Sequence, residues 1–127
     1  MLYFFFVSEI SESCDTGLYI TLFGINIFLI SKNIRNKIST ALNAGVPVFI
    51  SECSICDASG NGGIDYASAN EWLDFMNSNQ LSFIAWSLSN KAETSALISS
   101  GCSAKSGWSD GDLSETGRWF KSAISGR

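Results

Sequence analysis

Val46-Pro47-Val48-Phe49-Ile50-Ser51-Glu52 is a short apolar run ending in a carboxylate, and the glycine-rich loop Cys56-Asp57-Ala58-Ser59-Gly60-Asn61-Gly62-Gly63 follows it. β-Branched residues bounded by turn formers read as a strand covered on both faces, the kind found in parallel sheets. A carboxylate at the C-terminal end of such a strand sits where parallel barrels carry their chemistry. The plainer reading is a charge that meets water where the strand leaves the core. Position alone favours the plainer reading.

Upstream, Asn33 to Ala44 has the spacing of a helix. Ile34, Ile38, Ala41 and Leu42 recur on one apolar face. Gly45 suits the residue just past its end, and Pro47 stops any continuation. Downstream, the loop from Cys53 to Ile64 has neither strand nor helix pattern. It lacks the Lys-Ser/Thr of a phosphate loop and reads as a surface loop lining a site. Tyr66 to Ser78 reads as a helix with Asp65 as its N-cap and Ala69, Trp72, Leu73 and Met76 as its apolar stripe. Leu81 to Leu88 is the next predicted strand, with Trp86 near its C-terminal end. Ser89 to Gly111 is a long polar loop. Leu113 to Ile124 is a last helix, with Leu113, Trp119, Phe120 and Ile124 apolar. Helices alternating with strands are the order of α/β units with right-handed crossovers. A closed barrel of such units needs eight strands and typically ~250 residues. The expected fold is therefore α/β, a partial (β/α)8 TIM barrel covering about the last two β/α units.

Composition narrows the chemistry. The 127 residues are 46% hydrophobic and 16% charged, as in a globular chain. The net charge of -4 disfavours nucleic acid, which needs clustered Lys and Arg. There is no histidine, which removes Ser-His-Asp and Cys-His catalysis and every His-ligated metal site. Cys53 and Cys56 have C-x-x-C spacing, but Cys14 and Cys102 form no second pair to complete a zinc site. The apolar runs Leu2 to Val7 and Gly17 to Ile30 resemble neither a clear signal peptide nor a clear membrane span, with Glu9, Glu12 and Asp15 where a signal carries positive charge. The run from Tyr19 to Ile30 is rich in β-formers and could form a strand.

Several motifs share an order and spacing with one known family. Ala41-Leu42-Asn43-Ala44-Gly45 leads into the opening run and its glycine-rich loop. Glu71-Trp72-Leu73-Asp74-Phe75 follows. Then come Phe83-Ile84-Ala85-Trp86-Ser87-Leu88-Ser89-Asn90-Lys91-Ala92-Glu93 and Gly107-Trp108-Ser109-Asp110-Gly111-Asp112-Leu113-Ser114, with Gly117 and Phe120-Lys121 after them. Together they resemble the last third of cellulases of glycoside hydrolase family 5. The resemblance runs from about Ser31 to the C-terminus and leaves residues 1–30 as an atypical leader outside it. Residues 31–127 then look like the C-terminal portion of a glycoside hydrolase catalytic domain.

The resemblance implies retaining hydrolysis of β-1,4-glucan, without a metal or organic cofactor. The implied partners are a β-glucan and the missing N-terminal part of the barrel, with no nucleic acid or membrane. It implies that the parent enzyme is extracellular. Glu52 matches the family's catalytic nucleophile, at the end of the seventh strand. Trp86 matches a stacking platform at the end of the eighth, where an aromatic ring meets the C–H face of a glucose; the alternative is a core tryptophan. Lys91 and Glu93 match residues that hydrogen-bond a glucose away from the cleavage point, and alone they would be surface charges. Ala58 lines the same cleft by its backbone. Trp72, Trp108 and Trp119 are assigned to packing.

Two departures from the family pattern bear on activity. The family's acid/base glutamate sits in an Asn-Glu motif upstream of everything matched. Here the one Asn-Glu is Asn70-Glu71, inside a helix, where Glu71 reads as solvated. Beside the nucleophile the family usually has an aromatic residue and then glycine, and here the pair is Cys53-Ser54. The aromatic's loss removes packing. The glycine's loss matters most where φ is positive. The rival functional reading is therefore a non-catalytic fragment that binds glucan or completes a barrel. Cys56 and Cys102 fall in loops at the same end of neighbouring strands under the barrel reading, and either a disulfide or free thiols would fit.

Overall fold

The computed structural model describes residues 20–22, 25–26 and 32–125. Cys14 and the run Leu2 to Val7 lie outside the described residues, as does part of the run from Gly17 to Ile30.

The chain order is β1 (Ile20–Leu22), β2 (Ile25–Asn26), α1 (Lys32–Asn43), β3 (Val48–Ser54), α2 (Tyr66–Ser78), β4 (Ser82–Ala85), a short 3-10 turn (Asp110–Asp112) and α3 (Glu115–Ser125). All the strand pairings are parallel. β1 and β2 flank one edge of β3, and β4 flanks the other. Strands joined through helices in this way form the α/β arrangement expected from the sequence. Leu22 opposes Ile50 and Ile25 opposes Cys53, so β1 and β2 keep one register along β3. The β-forming run before α1 thus supplies strand.

α1 ends as its sequence requires. Gly45 has φ 76°, a conformation open to glycine at little cost. Its N–H donates to Leu42 O at 2.9 Å, and Val46 N–H donates to Ala41 O at 3.0 Å, the paired bonds of a Schellman motif. α2 begins at its expected cap, where Asp65 Oδ1 accepts from Ser68 N–H at 3.0 Å.

The three helices cover one face of the sheet. Ile38 from α1, Trp72 and Met76 from α2, Phe120 from α3, and Ile50 and Cys53 from β3 form one buried cluster. Burying a side chain of this size contributes about 1.5–3 kcal/mol. Phe120 packs against Phe83 at 6.1 Å and edge-on to Trp119 at 5.0 Å between ring centroids. Trp72 and Trp119 are thus packing residues, as expected. Arg35 lies over the Trp72 ring at 5.4 Å and pairs with Glu71 at 3.2 Å.

Exposed apolar side chains cluster near the end of β4. Ile84 in β4, and Trp86 and Leu88 beyond its end, are 53%, 47% and 67% exposed. Within β4, Ile84 points away from Phe83, which packs against Phe120 on the helix side.

Several boundaries differ from the sequence reading. β3 runs on past Ser51 to Ser54, because β2 and β4 supply backbone partners there. β4 stops at Ala85, before Trp86. Leu113 lies outside α3 and forms a bridge with Ile98, so the polar loop before it carries pairing of its own. Ile124 is exposed and contributes no core.

Candidate active site

β3 pairs with β4 through a register shift. Phe83 opposes Ile50 and Ala85 opposes Cys53, so two residues of β3 lie between these pairs where β4 has one. This is a β-bulge, and Glu52 is in it. Strict alternation would put Glu52 on the same face as Ile50, against the helices. Instead Cys53, three residues after Ile50, joins the buried cluster with it. The extra residue changes the parity of the strand and turns Glu52, half-buried, off the helix-facing side. Bulges recur at barrel rims and beside active sites for this reason.

The Cys53-Ser54 pair is accommodated without strain. Cys53 is buried in the cluster. Ser54 sits in β3, and among the described non-glycine residues only Gln80 has positive φ. Losing glycine there carries no φ cost. Ser54 Oγ lies 3.3 Å from Cys56 Sγ, and both are fully buried. Burial pushes the Cys56 thiol up, the Ser54 contact opposes that, and the charges of Asp57 and Glu93 add to it. Cys56 and Cys102 are free thiols, and Cys102 Sγ lies 3.5 Å from Asp112 Oδ1.

Trp86 is the first residue beyond β4. Its N–H donates to Cys53 O at 2.7 Å, which fixes it beside the bulge that holds Glu52. The Trp86–Ser87 peptide bond is cis. Lys91 and Glu93 lie in the following loop, 3.9 Å apart, with Lys91 the more exposed. Ala58 is exposed on the loop after β3. Asn61 Oδ1 accepts from Thr94 N–H at 3.2 Å, and Gly60 O accepts from Ser95 N–H at 2.9 Å, so the two loops are tied together. The structure thus gathers Glu52, Trp86, Glu93, Lys91 and Ala58 at the C-terminal ends of β3 and β4. Glu71 stands apart in α2, exposed and paired with Arg35, as the sequence reading expected.

Sequence reasoning missed two features here. One is the bulge, which no turn residue announces. The other is the set of bonds from Asn61, Ser87 and Thr116 that hold the turn carrying Glu93. Trp108, read as packing, donates its ring N–H to Ala104 O at 3.0 Å and lines a hollow of about 590 Å³ with Leu88, Ile98 and Cys102. Among the described residues no group of three His, Cys, Asp or Glu could hold a metal ion, and no helix is long and apolar enough to cross a membrane.

The chain is similar to known proteins. The family model for cellulase (glycosyl hydrolase family 5) matches residues 27–92, just over half of the 127-residue chain. The chain belongs to glycosyl hydrolase family 5. The match begins within residues 1–30 and takes in Glu52, Trp86 and Lys91. An endoglucanase of Clostridium saccharobutylicum is 40% identical over 96 residues, 76% of this chain and 21% of that protein. Endoglucanase N of Pectobacterium atrosepticum is 37% identical over 91 residues, 72% of this chain and 20% of that protein. A family 5 cellulase from an Icelandic hot-spring isolate superposes with a TM-score of 0.68 at 39% identity, over 72% of this chain and 29% of that one. The chain thus spans about a fifth of the length of the curated relatives it matches.

Proposed function

We propose that residues 31–127 are the nucleophile-bearing C-terminal portion of a TIM-barrel catalytic domain that hydrolyses β-1,4-glucan with retention of configuration. The observation that carries this reading is the bulge that turns Glu52 off the helix-facing side of β3 while Cys53 O anchors Trp86 beside it.

In this reading a glucose ring stacks its C–H face on Trp86. Lys91, Glu93 and the backbone at Ala58 hold a neighbouring sugar. The Glu52 carboxylate attacks the anomeric carbon, and the glycosidic C–O bond breaks. A second carboxylic acid, about 5–5.5 Å away, protonates the departing oxygen. The same group then takes a proton from water, which attacks the glycosyl ester and frees Glu52. Glu71 does not serve, since it lies in the helical layer and pairs with Arg35. The proton donor comes from outside the described residues. Its substrate is a polysaccharide, so the parent enzyme works outside the cell.

Complementation tests this reading. The chain is combined with the N-terminal part of the Clostridium saccharobutylicum endoglucanase that it does not match and assayed on a soluble cellulose derivative. Turnover is expected from the combination and not from the chain alone, because lost acid–base help costs about 10²–10⁴-fold. Glu52→Gln should abolish it. Equal turnover with Glu52→Gln would refute the assignment. Robust turnover by the chain alone would show that another of its carboxylates supplies the proton.

The exposed ring of Trp86 favours a second reading, in which the chain holds glucan without cleaving it. Half a cleft buries only part of each sugar, so binding should lie in the ~mM range, about −4 kcal/mol. A cello-oligosaccharide titration followed by tryptophan fluorescence should saturate, and Trp86→Ala should remove most of the response. No saturable response would exclude this reading.

A further inference from the structure

The turn that carries Lys91 and Glu93 is held from three directions. Thr94 N–H donates to Asn61 Oδ1 at 3.2 Å, from the loop after β3. Thr94 O accepts from Thr116 Oγ1 at 2.6 Å, from α3. Ser95 N–H donates to Gly60 O at 2.9 Å, and Ser95 O accepts from Ser87 N–H at 2.9 Å, next to Trp86. Both polar groups of the Thr94 backbone, immediately after Glu93, therefore end on side chains. Asn61 and Thr116 come from different elements, 55 residues apart in sequence. Asn61 is exposed, so it adds little to any core, whereas Thr116 is buried beneath the turn. An exposed amide spent on a backbone N–H across two loops fixes the position of one relative to the other.

We propose that Asn61 and Thr116 are positioning residues for Glu93, setting the place of its carboxylate for a hydroxyl of bound sugar. The proposal rests on the reading in which Glu93 contacts the sugar. Neither side chain touches the sugar. Asn61 locks the turn to the glycine-rich loop from above, and Thr116 holds it to α3 from below. Each removes freedom that Glu93 would otherwise lose on binding.

Cellotetraose titration with purified chains, followed by NMR shifts, tests this through a double-mutant cycle. Asn61→Ala and Thr116→Val should each weaken binding about fivefold, the share of a single hydrogen bond. Asn61→Asp and Thr116→Ser keep the acceptor and the hydroxyl and should restore it. In a Glu93→Ala background, Asn61→Ala should have no further effect, because its influence passes through Glu93. Equal losses with and without Glu93 would overturn the positioning role and leave the site reading intact. Wild-type binding that Glu93→Ala does not weaken, or no binding at all, would overturn both. Thr116 is buried, so Thr116→Val can also disturb the fold; the exposed Asn61 cycle decides the matter in that event.

Discussion

Replacing Gly117 with alanine should destabilise the fold, against the usual direction for a helix. In an exposed helix the change gains about 1 kcal/mol from propensity. Here a Cβ on Gly117 would stand 2.0 Å from Leu97 O and 2.9 Å from Leu97 C. The preferred separation of non-bonded heavy atoms is about 3.5 Å, so α3 has to withdraw by about 1 Å or more. The obstacle is backbone and has no rotamer to change. Withdrawal strains the seam between α3 and the loop after β4. Ser114 N–H donates to Leu97 O at 3.0 Å there, Thr116 Oγ1 to Thr94 O at 2.6 Å, and Ser114 Oγ to Ala96 O. Losing two such bonds costs about 2 kcal/mol, and overpacking adds about 1–3 kcal/mol. Set against the propensity gain, the net is a loss of about 2–4 kcal/mol. Small domains have about 5–15 kcal/mol in total. Urea unfolding followed by far-ultraviolet circular dichroism, at low protein concentration, measures it. The midpoint should fall by roughly 1–2 M. Gly63→Ala is the control, since its Cβ meets nothing within 4 Å. An unchanged or raised midpoint for Gly117→Ala would refute the close-approach argument.

Three further outcomes are expected. The exposed apolar side chains of Ile84, Trp86 and Leu88 should make the isolated chain self-associate; lysine at Ile84 and Leu88 should shift size-exclusion elution toward monomer, and a sharp cooperative melt from a monomeric wild type would contradict this. Cys53 and Cys56 should resist thiol reagents until the chain unfolds while Cys102 reacts in the native state, as peptide mapping would show, because the first two are buried and Cys102 is partly exposed. Asp112 is held below the usual carboxylate range by the Ser109 hydroxyl, then by the Ser109 N–H, and Asp57 likewise by Ser59. A depressed folded value means that the contribution is present above the unfolded value of about 3.9 and is lost as pH falls through the folded one. NMR titration should give midpoints below that value for both, and ordinary midpoints would count against these loop geometries.

The helices were legible in the amino-acid sequence. α2 spans the expected Tyr66–Ser78 with Asp65 as its cap, and Gly45 takes the left-handed turn that ends α1. Such signals are local: apolar spacing along one face, a capping side chain three residues away, one residue free to adopt positive φ. Motif spacing likewise pointed to Glu52, Trp86, Lys91, Glu93 and Ala58. The extension of β3 to Ser54, the bulge at Glu52 and the end of β4 before Trp86 came from the tertiary structure. A strand's length and register depend on which backbone lies beside it, and nothing within Val48–Ser54 records where Phe83 and Ala85 will pair. The hold on the Glu93 turn is non-local in the same way. Asn61, Thr94 and Thr116 are unremarkable loop and helix residues until folding brings two loops and α3 together, because a hydrogen bond between distant segments depends on their meeting in space and leaves no period in the sequence.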